Sequence, residues 1–188
     1  MKPCSHLRWR PAAVVLALAL PACLSSSPPP PAVRYFDPTT HKEGAPQRPA
    51  VACDLRVTAA SHLGREFVVR VAERELVFDG MNSWVADPRE LVQAAVERLL
   101  GPSVRSPDAR ALAIDVEAFE LDLQAAPQAH VRLAVQAAAG SRTIDLVVPA
   151  ADRQPASFAA AMAAALDRAA AMVSELHGAQ VPRPATDR

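Results

Sequence analysis

The sequence predicts an α+β domain: an antiparallel-rich sheet of about six to seven strands with two helices packed on one face. Three observations predict it. Apolar and polar residues alternate from Ala111 to Leu123, from Val131 to Ala137 and from Ile144 to Val148, which is the period of half-buried strands. Two longer stretches, one after Asp87 and one after Pro155, instead repeat apolar residues at helical spacing. Gly101-Pro102, Gly140 and Pro149 punctuate the junctions.

Taken in order, Ala32–Phe36 is expected as a first edge strand, followed by a polar loop from Thr39 to Pro49. Val51–Thr58 is a strand that puts Val51, Cys53, Leu55 and Val57 on one face. Phe67–Val69 and Leu76–Phe78 are short apolar runs of β-formers, and the polar Ala72–Glu75 between them makes a hairpin. A loop carrying Trp84 follows Asp79-Gly80. Asp87 is then a natural N-cap, Pro88 suits the first helical position and Glu90 completes a capping box. The helix presents Leu91, Val92, Ala95, Val96, Leu99 and Leu100 on one face and stops at Gly101-Pro102.

Pro102–Asp108 reads as a loop. The long strand beyond it contains a change of phase. Leu112, Ile114, Val116 and Ala118 share one parity, whereas Phe119, Leu121 and Leu123 take the other. A side-chain period of two cannot change phase without an extra residue, so a β-bulge is expected near Ala118-Phe119. Val131, Leu133, Val135 and Ala137 form the next strand, Gly140-Ser141 the turn, and Ile144, Leu146 and Val148 the strand after it. The last element is a helix from Pro155 to Leu176, with Phe158, Met162, Ala165, Leu166, Ala169, Met172, Val173 and Leu176 on one face. Its many alanines make it a strong helix former that approaches a sheet closely.

The start of the chain has a different character. Lys2, Arg8 and Arg10 precede the apolar run Ala12–Leu20, which is too short for a comfortable membrane span and fits a secretory leader. Leu20-Pro21-Ala22-Cys23 resembles a lipobox, with an aliphatic residue three before the cysteine and a small one directly before it. The alternative is an ordinary leader cut nearby, with Cys23 a passive thiol. Lipidation of Cys23 would anchor the chain stably, because each buried methylene contributes about 0.8 kcal/mol and several acyl chains act together. Leu24 follows the cysteine rather than an aspartate, so the expected location is the periplasmic face of the bacterial outer membrane. Leu24–Pro31 is a Ser/Pro tether; at about 3 Å per residue it lifts the domain roughly 20 to 30 Å from the headgroups. The expected organisation is therefore a leader over residues 1–22, a lipidated tether over 23–32, a domain over 33–178 and a disordered tail over 179–188.

The order of elements behind that leader resembles the ABC-type transport auxiliary lipoprotein family, the PqiC-like group. The resemblance rests on Phe67-Val68-Val69-Arg70, the hairpin mate Leu76-Val77-Phe78, and Trp84-Val85-Ala86-Asp87-Pro88 before the helix. Val57–Leu63 and Tyr35-Phe36-Asp37-Pro38 also fit, so that the likeness spans residues 33 to 178. It implies an α+β fold and a periplasm-facing accessory of an MCE-type lipid or organic-solvent transport system, with a periplasmic MCE protein as partner.

Composition limits the other classes. Removing 22 residues leaves 166, enough for one domain with a proper core. The leader takes three of the 20 basic residues and none of the 20 acidic ones, leaving a mildly negative chain without the basic stripe of a nucleic-acid binder. No second apolar run of spanning length is read, so the domain is expected outside the bilayer. Cys53, the one thiol left in the domain, is either buried or paired to another chain, and its place on a strand favours burial. Both a monomer and a homo-oligomer are compatible with the chain.

No G-x-S-x-G, P-loop, H-E-x-x-H or C-x-x-C pattern is present, and no cofactor or metal is expected. His41, His62, His130 and His177 lack ligand spacing, and the last two read as surface residues. Asp115, Glu117, Glu120 and Asp122 read as a solvated sheet face rather than an acid/base set. Two residues stand out for a partner. Trp84 either anchors an interface or closes over the core, and Arg70 either pairs with an acidic neighbour on the sheet or faces a partner. Beside the accessory role stand a carrier holding lipid in an apolar cavity, another envelope-assembly lipoprotein, and an envelope hydrolase.

Overall fold

The computed structural model describes residues 31–178 except 40–50, 105, 107, 108 and 139. The expected leader, Cys23, nearly all of the tether and the expected tail lie outside the described residues, as does most of the Thr39–Pro49 loop.

A 13-residue strand, β6 (Arg110–Asp122), is the spine of the sheet. Along one edge it pairs antiparallel with β7 (Gln128–Ala137), which pairs antiparallel with β8 (Gly140–Pro149). The other edge is shared. β2 (Val51–Ala59) runs parallel to the first half of β6, and β3 (Glu66–Ala72) runs parallel to its end, with Val68–Arg70 beside Glu120–Asp122. Beyond β3 lie its hairpin mate β4 (Glu75–Trp84) and then β1 (Arg34–Phe36), parallel to β4 over Asn82–Trp84. Beyond β2 lies β5 (Ser103–Val104), parallel to Val51-Ala52.

The fold class is α+β, but the sheet differs from the expected one in two ways. Among the described residues it has eight strands, because β5 lies in the stretch read as a loop after Pro102. It is mixed rather than antiparallel-rich: four of the seven pairings are parallel. The hairpin and first helix between β2 and β6 form a connection long enough to return the chain in its original direction, which parallel neighbours require. Trp84 also differs, since it ends β4 instead of sitting in a loop.

The expected bulge is present. The β6–β7 register shifts between Val116 and Ala118, so Glu117 is the extra residue. Leu112, Ile114 and Val116 before it and Phe119 and Leu121 after it are all buried, and the shift keeps both sets on one side. Helix α1 (Pro88–Leu100) and helix α2 (Pro155–Gly178) cover that side. α1 packs on β2 and β6, α2 packs on β7 and β8, and the helices touch each other. Asp87 caps α1 by accepting from the Arg89 N–H at 3.2 Å, Pro88 follows it, and Glu90 sits in the first turn where it complements the helix dipole. Gly101 closes the helix at φ +95°, a backbone that only glycine adopts freely, and its N–H reaches Glu97 O at 2.7 Å.

α2 is the apolar run of spanning length that the sequence reading overlooked; by length and composition it could cross a bilayer. Here Phe158, Met162, Ala165, Leu166, Ala169 and Val173 are buried, so it serves as a core helix on the sheet.

On the same side of the sheet, four aromatics join four strands. Phe67 stacks on Trp84 with centroids 4.1 Å apart, Phe119 meets Trp84 edge-on at 5.3 Å, and Phe36 lies 5.3 Å from Phe67. Trp84 is only 1 % exposed. Truncation there would open a cavity at the junction of β1, β3, β4 and β6. Trp84→Ala should therefore lower unfolding free energy by about 3–5 kcal/mol in urea titrations. Asp87→Ala, which removes only the helix cap, should lower it by about 1 kcal/mol.

Candidate functional site

The sheet face away from the helices is polar, and its centre is Glu120. The bulge at Glu117 turns Phe119 and Leu121 toward the helices and Glu120 to the opposite side. There the register lines up Val68 of β3, Glu120 of β6, His130 of β7 and Val147 of β8 across the sheet. Arg70, two residues past Val68 on the same side, reaches back to Glu120. Its Nε donates to Oε1 at 2.7 Å and its Nη2 to Oε2 at 2.9 Å, a bidentate pair. His130 Nδ1 lies 3.1 Å from the same carboxylate, and its Nε2 lies 2.8 Å from Asp145 Oδ1 on β8.

Glu120 was expected on a solvated face, but it is 1 % exposed. Arg70 and His130 cover it and supply the hydrogen bonds that a buried carboxylate needs. Burial alone would push Glu120 upward; hydrogen bonds to His130 and Arg70 outweigh that and hold it below the ordinary carboxylate range. The hydrogen bond to Glu120 raises His130, against desolvation, with Asp145 adding to the rise. His130 is accordingly a bridging residue and not the free surface histidine expected from its parity.

The neighbouring carboxylates of β6 are also engaged. Thr58 Oγ1 donates to Asp115 at 2.9 Å, Arg132 pairs with Glu117 at 3.0 Å, and Gln128 donates to Asp122 at 3.0 Å. Between Arg70, Glu73, Glu117, Gln124, His130 and Arg132 the face forms a shallow open depression of about 430 Å³. Both oxygens of Glu120 and both ring nitrogens of His130 are already bound to protein groups, so the cluster has the chemistry of a structural network. Among the described residues no group of three His, Cys, Asp or Glu side chains is placed to hold a metal.

The residues singled out for a partner fare differently. Arg70 is paired with Glu120, the acidic neighbour of its first alternative, and its side chain also lines the open depression. Trp84 lies inside the core and offers no surface, so it closes the core rather than anchoring an interface. Cys53 is buried, and burial together with Asp54 and Glu97 raises its thiol. His177, expected at the surface, is 8 % exposed; burial and the charge of Arg110 lower it. Other depressions are open as well. One of about 470 Å³ lies between the end of β8 and the start of α2, lined by Val148, Pro149, Ala156, Ala160, Ala161 and Ala164. One of about 270 Å³ lies at the turn after β2.

No family model and no curated protein matches the chain. Among solved structures it is similar to a crystal structure from Xanthomonas campestris described as a DUF330 protein, at 22 % identity and a TM-score of 0.62, covering 79 % of this chain and 98 % of that one. It is also similar to a crystal structure described as an uncharacterized protein, at 15 % identity and a TM-score of 0.56, covering 77 % of this chain and 99 % of that one. At these identities the likeness shows a shared fold.

The network makes stability depend on pH in two directions. His130 is raised, so its contribution is complete below the ordinary 6.5 and is lost as pH rises through its folded value. Glu120 is lowered, so its contribution is complete above the ordinary 4.5 and is lost as pH falls through its folded value. Urea titrations across this range should place the network's largest contribution between those limits, and His130→Gln should flatten the alkaline limb. Arg70→Met should cost roughly 3 kcal/mol, at the low end for a broken buried pair because the guanidinium reaches solvent. A loss near zero in Arg70→Met would show that Glu120 is held without its partner.

Proposed function

We propose that this protein is an outer-membrane-anchored periplasmic lipoprotein, a non-catalytic accessory of an ABC/MCE-type lipid or organic-solvent transport system, docking on the periplasmic MCE component. One observation carries the reading. A lipobox-like sequence ending in Cys23 stands before a domain whose fold is that of a DUF330 protein over 98 % of its length, and DUF330 is the family of the PqiC-like group that the sequence resembles.

The geometry supports a binding module over the other classes. A carrier needs an apolar cavity of about 300 Å³ or more that encloses most of its ligand. The helices instead fill the covered side of the sheet with packed side chains, and the depressions on the described surface are shallow. A hydrolase needs titratable groups left available for substrate. The groups that converge here, Arg70, Glu120, His130 and Asp145, are bound to one another.

Two measurements test the proposal. Crosslinking of the full-length protein in its native envelope, followed by pull-down and mass spectrometry, should recover an MCE-domain protein together with its ATPase partners. Recovery of unrelated envelope machinery alone would overturn the assignment. Cys23→Ser should abolish incorporation of radiolabelled fatty acid and release the protein from the membrane fraction. Unchanged labelling would place the acyl chain elsewhere.

A further inference from the structure

Seven of the nine large apolar side chains exposed on the described surface lie on or beside β1, β3 and β4. Tyr35 is the most exposed of them at 60 %, with Val33, Met81 and Val85 nearby, each above 40 %. The register places them together: Tyr35 runs beside Ser83, two residues earlier the same parallel offset sets Val33 abreast of Met81, and the Val85 N–H donates to Phe36 O at 3.0 Å. The helices pack chiefly on β2, β6, β7 and β8, leaving this end of the sheet uncovered. Along its outer edge β4 has a neighbour only where β1 pairs with Asn82–Trp84; the backbone of Glu75–Met81 is unpaired there among the described residues.

One arginine flanks the patch. The Arg65 guanidinium lies 5.5 Å from the Tyr35 ring centroid and donates to Trp84 O and Val85 O. Arg34 projects from the other face of β1, its guanidinium 5.7 Å from the Phe36 ring centroid and its Nε donating to Asn82 Oδ1 at 3.0 Å. Both Arg65 acceptors are neutral carbonyls, so among the described residues its guanidinium keeps its positive charge beside the exposed tyrosine. An amphipathic aromatic, aliphatic side chains and a flanking guanidinium form the side-chain set of a membrane–water interface.

The position of the chain decides what that surface meets. β1 follows directly on the Ser/Pro segment, and Pro31 is eight residues from Cys23. At about 3.1 Å per residue that segment spans no more than roughly 25 Å, so β1 is the element held nearest the anchored lipid. We propose that the β1–β4 edge, centred on Tyr35, rests in the headgroup layer of the membrane that carries the anchor, with Arg65 facing lipid phosphates. This rests on acylation of Cys23. The unpaired backbone of β4 limits the depth, because open strand edges are not tolerated in hydrocarbon.

The test uses the acylated full-length protein reconstituted into vesicles of phosphatidylethanolamine and phosphatidylglycerol. A nitroxide is placed at Val85→Cys, with a reference label at Ala171→Cys on the exposed side of α2; Cys53 is buried and escapes labelling. Collision with oxygen is compared with collision with a water-soluble nickel chelate. The label at 85 should prefer oxygen severalfold over the reference, and Tyr35→Glu with Val33→Glu should remove that preference. A protein that does not float with the vesicles would overturn the anchoring reading and this inference with it. A protein that floats with both labels equally open to nickel would overturn this inference and leave the anchor standing. Shielding of the label from both reagents that deepens with protein concentration would assign the edge to a second copy of the chain, which also overturns it.

Discussion

A single extra residue in β6 sets the two-sidedness of the sheet. Glu117 takes up one position that β7 does not match, and the side chains beyond it are thereby advanced by one. Phe119 and Leu121 join Leu112, Ile114 and Val116 under the helices, while Glu120 joins Arg70 and His130 on the other side. Without the bulge the phase would reverse, Phe119 would face water and the carboxylate of Glu120 would enter the apolar layer. The aromatic cluster and the buried ion network therefore depend on the same one-residue offset, from opposite faces of one strand.

What could be read from the sequence follows the range of the interaction concerned. The cap at Asp87, the stop at Gly101 and the apolar face of α2 are each decided within a few residues, and each is found where the chain places it. The bulge was legible for the same reason, because a phase change is a local pattern, and its position was off by only one or two residues. Strand direction was not legible. Alternation is identical in parallel and antiparallel strands, and nothing near β2 or β3 announces that both will lie along β6. β5 was missed because two residues are too few to show a period.

The candidate site was less legible than the fold. Burial of Glu120 depends on a register between strands separated by a hairpin and a helix, so its alternation with apolar neighbours pointed to solvent. His130 carried the same outward parity, and only the arrangement of β6, β7 and β8 brings it between two carboxylates. For Trp84 both roles were consistent with an aromatic before a capped helix, and the stacking on Phe67 and Phe119 decides between them. A buried carboxylate held by a guanidinium and an imidazole contributes little net stability over an apolar replacement, but it penalises any register that separates the three. On a sheet with four parallel pairings, that penalty guards the alignment of β3, β6 and β7.

The sharing of one β6 edge by β2 and β3 also bears on how the chain folds. Thr58 and Asp115 are 57 positions apart, and Arg70 and Glu120 are 50 apart. Contacts of such separation form slowly, because a long loop must close before they are rewarded. Both N-terminal strands are synthesised before β6 exists, so their apolar residues must wait without a template while the β6–β8 meander is still to come. During that interval the nascent chain is open to misassociation. A holding chaperone that binds extended apolar segments would act on β2 to β4 first and be displaced when β6 completes the sheet.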